Sequence, residues 1–222
     1  FNTWEAMYFD LSLQRLKALA DSAAQVGAER FVLDDGWFKN RKSDGAGLGD
    51  WFVDQGIFPD GLSPLIDHVQ ARGMEFGLWI EPEMVNPDSD LYRAHPDWVL
   101  SAEPAPVILS RHQLVLDLTR SEVQDYLFDC IDKLLSQYPI SYLKWDMNRI
   151  INQPGDAQGR AVTHKQTVAL YKLLSRIRGA HPQLEIESCA SGGGRADFGI
   201  LAYTDRIWTS DSNDALDRLA IQ

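Results

Sequence analysis

Cysteine is scarce in this 222-residue chain: Cys130 and Cys189 are its only two, too few for a disulfide framework. Basic residues are outnumbered, with 21 Lys and Arg against 32 Asp and Glu and a formal net charge of −11. That balance leaves no basic patch for a nucleic acid, and it is read as a source of solubility. No apolar run approaches the length of a membrane span, so no membrane partner is expected. A secretory signal is also missing, which is weak evidence here. The chain opens inside a motif, Phe1-Asn2-Thr3-Trp4, and reads as a piece of a longer protein. With no low-complexity segment, charge block or Ser/Gly linker, no internal boundary divides residues 1–222.

What is present is a repeated unit of apolar run and amphipathic helix. Strands are expected at Thr3–Phe9, Arg30–Leu33, Glu75–Ile80, Ile140–Trp145, Gln183–Ser188 and Arg206–Thr209. Most are continuous apolar or aromatic runs, as parallel strands covered on both faces would be. Between them, Leu13, Leu16, Ala20, Ala23 and Val26 make a helical stripe closed by Gly27. Ser63-Pro64 reads as an N-cap followed by proline at N1, before Leu65, Ile66 and Val69. Further stripes are Val123, Leu127, Ile131 and Leu134, then Val168, Tyr171, Leu174 and Ile177, the last closed by Gly179. Two long polar insertions, Lys39 to Gly61 and Pro82 to Gln113, leave strand ends, where loops of that length are usually functional.

Strand and helix alternation with long loops after the strands predicts an α/β fold of the (β/α)8 TIM-barrel type. A doubly wound sheet is the alternative, but no glycine-rich phosphate fingerprint follows the first strand. About six strand units are visible against the eight of a closed barrel, so the barrel is expected to be incomplete.

Three of the runs finish in acid beside tryptophan: Leu33-Asp34-Asp35-Gly36-Trp37, Lys144-Trp145-Asp146 and Trp208-Thr209-Ser210-Asp211. Core packing gives no reason for that repetition. A sugar-cleaving pocket does, because indole faces stack on pyranose rings while a pair of carboxyls attacks and protonates. Asp146 and Asp211 are the pair expected to do so, although Asp214 competes with Asp211 on these grounds. Lys144 lies two residues before Asp146, so both point to one face of the strand, where an ammonium favours the ionised acid. The bland alternative is a plain ion pair at a strand end. Oxygen ligation of a divalent cation by Asp34, Asp35, Asp146, Asn148, Asp211 and Asp214 is a weaker reading. No histidine accompanies them and the spacing lacks a calcium-loop pattern.

Asp34 and Asp35 are neighbours on a strand, so one is expected in the pocket and the other bracing a turn. One of Glu81 and Glu83 is expected only to satisfy backbone donors. The run Cys189-Ala190-Ser191-Gly192-Gly193-Gly194-Arg195 lacks the Lys-Ser/Thr ending of a phosphate loop. It is read as backbone that comes close to a small ligand, with Arg195 anchoring acids such as Asp197. A thiol nucleophile at Cys189 is disfavoured, since no histidine lies in its motif to activate it.

In order along the chain, Asn2-Thr3-Trp4-Glu5-Ala6, Leu33 to Trp37, Gly77 to Met84, Lys144 to Arg149, Cys189 to Arg195 and Trp208 to Asp211 resemble the α-galactosidases of glycoside hydrolase family 36. The resemblance implies retaining hydrolysis of terminal α-D-galactosyl residues in a (β/α)8 barrel, with no cofactor and no metal. It casts Asp146 as the nucleophile and Asp211 as the acid/base. Trp4, Asp34, Asp35, Trp79, Arg111, Lys144, Asn148, Cys189, Gly192 and Trp208 would hold the galactose. Residues 1–222 would then be a truncated catalytic domain without the family's flanking β domains. The partner expected is an α-galactoside oligosaccharide of the melibiose or raffinose type, the compartment cytoplasmic, and the full-length homologues homo-oligomeric. Galactosyl transfer of the raffinose-synthase kind and a non-catalytic galactoside-binding remnant are the alternatives.

Overall fold

The structure, a computed structural model, describes residues 1–102 and 104–221. Its centre is a parallel sheet formed by β1 (Arg30–Leu33), β2 (Glu75–Ile80), β5 (Tyr142–Trp145), β6 (Glu185–Ser188) and β7 (Arg206–Ile207), hydrogen-bonded in that order. A short antiparallel pair, β3 (Met84–Val85) with β4 (Leu114–Val115), ties together the loops between β2 and β5.

The first expected strand is misplaced. Residues Phe1 to Thr3 lie parallel beside β1, with Val32 N donating to the Phe1 carbonyl at 2.8 Å and Thr3 N to the Val32 carbonyl at 3.1 Å. Beyond them the chain turns into a short helix, α1 (Trp4–Met7), instead of continuing extended to Phe9. The turn is set by Asn2, whose side-chain oxygen accepts the Trp4 N–H at 2.9 Å. Trp4 then meets Tyr8 and Phe9 edge-on, so the aromatic run packs on itself instead of along a sheet. With that segment counted, the sheet has the succession of a (β/α)-barrel that has not closed, as expected from the sequence.

Helices α2 (Leu13–Gln25), α3 (Ser63–Gln70), α5 (Ser121–Gln137) and α6 (Thr163–Ala180) cover the outer face, and α4 (Asp90–Ala94), α7 (Phe198–Leu201) and α8 (Ala215–Ile221) sit in loops or beyond the last strand. Residues two apart on a strand share a face, and Phe31, Leu33, Phe76, Leu78, Leu143 and Ile186 send theirs into the helix layer with at most 2% exposure. The opposite face is not apolar, contrary to the reading of strands covered alike on both sides. It carries Tyr142, Lys144, Glu187 and Arg206, all lining one cleft. Glu185 and Glu187 alternate with buried Ile186 and Ser188, a period of two that marks β6 as half polar.

Smaller departures follow from helix geometry. α2 is capped by the Ser12 hydroxyl, which accepts Arg15 N, and Val26 falls past its end and is exposed. Ser63 begins α3 itself and caps nothing. In α6 the buried stripe is Ala169, Leu170, Leu173, Leu174 and Ile177, so Val168 faces outward and Gly179 is passed without ending the helix.

Candidate active site

Asp146 follows the last residue of β5 and is 6% exposed. Its Oδ2 accepts the Trp79 indole N–H at 3.0 Å and the Asn148 amide at 2.7 Å, while Oδ1 accepts the Met147 backbone N–H at 2.8 Å. Three donors on one carboxylate fix its plane and leave little rotational freedom. Trp79 is held in turn: its carbonyl accepts the Trp37 indole at 2.8 Å and its ring stacks on Phe38.

Lys144 does share the face of Asp146, but its hydrogen-bonded partner is Asp34, at 3.0 Å from Nζ. Burial works to lower the lysine pKa, yet Asp34, Cys189 and Asp146 more than offset it and the net shift is upward. Asp34 also accepts the Asn2 amide at 2.6 Å, and its own N–H goes to the Thr3 hydroxyl. Asp35 takes the bracing part: Arg41 grips both its oxygens at 2.9 and 2.8 Å. Burial pushes the Asp35 carboxyl upward and Arg41 pulls against it. Asp35 is thus held as a brace, but the expected separation of the two acids is not complete, since both line the cleft.

Asp211 lies in the loop after β7 and is exposed, with Oδ1 accepting the Trp208 indole N–H at 2.7 Å. Asp214 is spent elsewhere: its Oδ1 accepts the N–H groups of Leu216 and Asp217 and caps α8. That geometry favours Asp211 between the two acids that sequence reasoning left open. Trp208 is flanked by cations, with Lys144 Nζ 5.5 Å and the Arg218 guanidinium 4.6 Å from its ring.

The glycine run has a different neighbour from the one expected. Gly192 has φ +85°, and a Cβ there would stand 3.0 Å from Ser210 Cα and 3.4 Å from Asp211 N. Gly193 N donates to the Thr209 carbonyl at 3.1 Å. The run comes close to the backbone that carries Asp211, and Gly192 is not among the residues lining the cleft. Nor does Arg195 anchor Asp197. It pairs with Glu83 at 2.6 Å, and Asp197 caps α7 through Gly199 N and Ile200 N. Glu83 is within reach because Trp145, one strand away, donates to the same oxygen at 3.0 Å.

Cys189 follows β6, is buried, and also lies off the cleft wall. Burial and then the Asp146 charge push its thiol well up, which disfavours the thiolate that a nucleophile needs. Glu81, 1% exposed, is pushed up to about 8 by burial and by Asp146 beside it. It accepts the Asn148 N–H and the Gln113 side-chain amide. Arg111 reaches the cleft from a loop in which it and His112 both have left-handed φ, 53° and 58°.

A single cleft of about 580 Å³ gathers Trp4, Asp34, Asp35, Trp79, Arg111, Lys144, Asp146, Asn148, Trp208 and Asp211. Asn2, Tyr142, Glu187, Arg206 and Asn213 share its wall and were not singled out from the sequence. For Tyr142 a signal existed, since it stands two residues before Lys144 on the same strand face. Among the described residues, no three His, Cys, Asp or Glu side chains converge as a cation-holding group.

The family model described as Melibiase matches residues 1–222. The chain belongs to the Melibiase family. It is 51% identical over 221 residues to an α-galactosidase of Escherichia coli, covering the whole of this chain and 31% of that protein. The crystal structure of the family 36 α-galactosidase AgaA from Geobacillus stearothermophilus superposes with a TM-score of 0.95 at 45% identity, over 100% of this chain and 32% of that one. A variant of AgaA has been solved in complex with raffinose and matches at the same TM-score and 44% identity. This Melibiase chain thus spans about a third of the length of the relatives it matches.

Proposed function

We propose that this chain carries the reacting groups of an α-galactosidase, which releases terminal α-D-galactose from oligosaccharides of the melibiose and raffinose type. The observation that carries the reading is that Asp146 and Asp211, 65 positions apart by their numbers, line one cleft whose walls are Trp79, Trp208 and the Lys144–Asp34 pair. Indole faces suit the apolar side of a pyranose, and the ammonium and carboxylates suit its hydroxyls.

In the proposed reaction, an Asp146 oxygen attacks the anomeric carbon as the glycosidic bond breaks, and the Asp211 carboxyl passes its proton to the departing oxygen. The bond formed is a galactosyl ester of Asp146. Asp211, now a carboxylate, takes a proton from water as that water attacks the same carbon, which frees Asp146 and returns Asp211 to its acid form. Configuration is retained because the carbon is displaced twice. Trp79, Asn148 and Met147 N hold the attacking carboxylate in line throughout. The compartment proposed is the cytoplasm, where two unpaired thiols such as Cys130 and Cys189 persist reduced.

The test is turnover of a nitrophenyl α-galactoside by the protein carrying this chain, with and without Asp146→Ala. Mass spectrometry after a fluorinated galactosyl inactivator then locates the ester. Activity abolished in the variant and an adduct on the peptide containing Asp146 are expected. Galactose binding without turnover would support a binding remnant, and an adduct on another acid would displace Asp146 from its role.

A further inference from the structure

Glu81 follows the last residue of β2 and is withdrawn from the cleft wall, and the hydrolysis described above takes no proton from it. One of its oxygens accepts the backbone N–H of Asn148, and the other accepts Gln113 Nε2 at 3.1 Å. These bonds run to two different segments that frame the cleft. Asn148 holds Asp146 through its amide at 2.7 Å, and its side-chain oxygen accepts the Ser191 hydroxyl at 3.0 Å. Gln113 stands two residues after Arg111, in the loop whose left-handed backbone carries that guanidinium to the cleft. Arg149 donates to the Gln113 carbonyl and, at 3.2 Å, to that of Ile108, closing the loop against the strand-end segment.

We propose that Glu81 is a positioning residue, a buried clamp that sets both the Asn148 amide on the nucleophile and Arg111 in the cleft wall. The proposal rests on the reading of Asp146 as the nucleophile. It differs from a role in satisfying buried donors, because that role would touch stability and leave catalysis per folded molecule unchanged. A hydrogen-bonding clamp does not need a charge. Gln113 Oε1 is a buried oxygen without a hydrogen-bond partner. If the Gln113 amide turns over, the amide of Glu81→Gln can accept from Asn148 N and donate to that oxygen, keeping both bridges.

The experiment is steady-state kinetics on a nitrophenyl α-galactoside with thermal melting of each variant. Glu81→Ala is expected to lower kcat roughly 10- to 100-fold and to raise KM, since displacements near 1 Å cost on that scale. Glu81→Gln restores kcat to within about 3-fold of the parent, the range left by small residual shifts. Gln113→Ala, which cuts only the loop arm, raises KM through Arg111 and leaves kcat near the parent's. It carries the test should Glu81→Ala fail to fold. Equal losses in Glu81→Ala and Glu81→Gln would overturn the clamp in favour of a charge requirement. A lowered melting temperature at unchanged kcat would overturn it in favour of a structural role.

A readout free of turnover separates this proposal from the hydrolase reading. In nitrogen-15 spectra, Glu81→Ala should displace the amide resonances of both Asn148 and Arg111, and Gln113→Ala that of Arg111. Asn148 moving while Arg111 stays in place would overturn the clamp. A parent with no turnover would count against the hydrolase and leave this result to decide.

Discussion

Trp79 donates its indole N–H to Asp146 across the β2–β5 ladder, 3.0 Å from nitrogen to Oδ2. The neighbouring strand thus orients the acid proposed to attack the sugar, and the aromatic layer behind it keeps the indole in register.

Trp79→Phe keeps an aromatic ring in the wall but removes the donor together with part of the indole's bulk. Asp146 would retain Asn148 and Met147 N, so the carboxylate survives but gains freedom about its last torsion. A fall in kcat of roughly 10- to 100-fold is expected, in line with the cost of misplacing one reacting group. KM should move less, because the ring remains. A variant whose kcat matches the parent's would show that the indole donor does not orient the acid.

Lys144 and Asp34 form a pair with side chains only 11% and 4% exposed. Removing one partner strands the other in a place with little water. Lys144→Met should therefore cost about 3–5 kcal/mol in urea denaturation. Adding Asp34→Asn, whose neutral amide needs no counter-charge, should recover part of that loss. If the two substitutions prove additive, the pair is not coupled and the ammonium has another partner.

The strand-end acids were legible because two rules coincide there. A buried parallel strand reads as an apolar run, and an acid closing it has no place in the core. Lys144 and Asp146 fell on one face by the period of two, yet the sequence could not show that Asp34, from a strand two places away, would claim the lysine. Residues 3–9 misled because local capping won over pattern: Asn2 takes the Trp4 N–H and turns the chain before the aromatic run can extend. The glycine run was legible as a close approach but not as to what approaches, because its neighbour, Thr209 to Asp211, lies in the loop that follows the next strand. Arg195 likewise finds Glu83 across 112 positions instead of Asp197 two away, since Asp197 is drawn into capping α7.

Gly192→Ala tests that close approach. An alanine there meets a left-handed φ and a backbone atom at 3.0 Å that cannot swing aside, so either the run or the Asp211 loop must shift. The strain should cost about 1–3 kcal/mol of stability. The loss of activity should depend on the leaving group: turnover of raffinose, whose sugar needs protonation to depart, should fall further than turnover of a nitrophenyl galactoside. Equal losses on both substrates would mean that the shift reaches Asp146 as well, and that the glycines do not serve Asp211 in particular.

The stability of the fold should carry a signature of Glu81. Burial, then the Asp146 charge, raise its pKa from 4.5 to about 8. Between those values the folded state holds a proton that the unfolded chain has released. The contribution of this group to stability is thus full below pH 4.5 and is lost as pH rises through about 8, flattening only about a unit above that value. Other carboxyls pushed upward, the buried Asp35 and the half-buried Glu187 among them, have the same sign, so the measurement must be a difference. Glu81→Gln removes the titration while keeping the shape of the side chain. In urea denaturation from pH 5 to 10, the parent should lose stability relative to Glu81→Gln as pH rises through about 8, and the two curves should run parallel from about a unit above that value. Parallel curves across the whole range would mean that Glu81 is ionised in the folded protein throughout, with the Asn148 N–H and the Gln113 amide stabilising its charge beside Asp146.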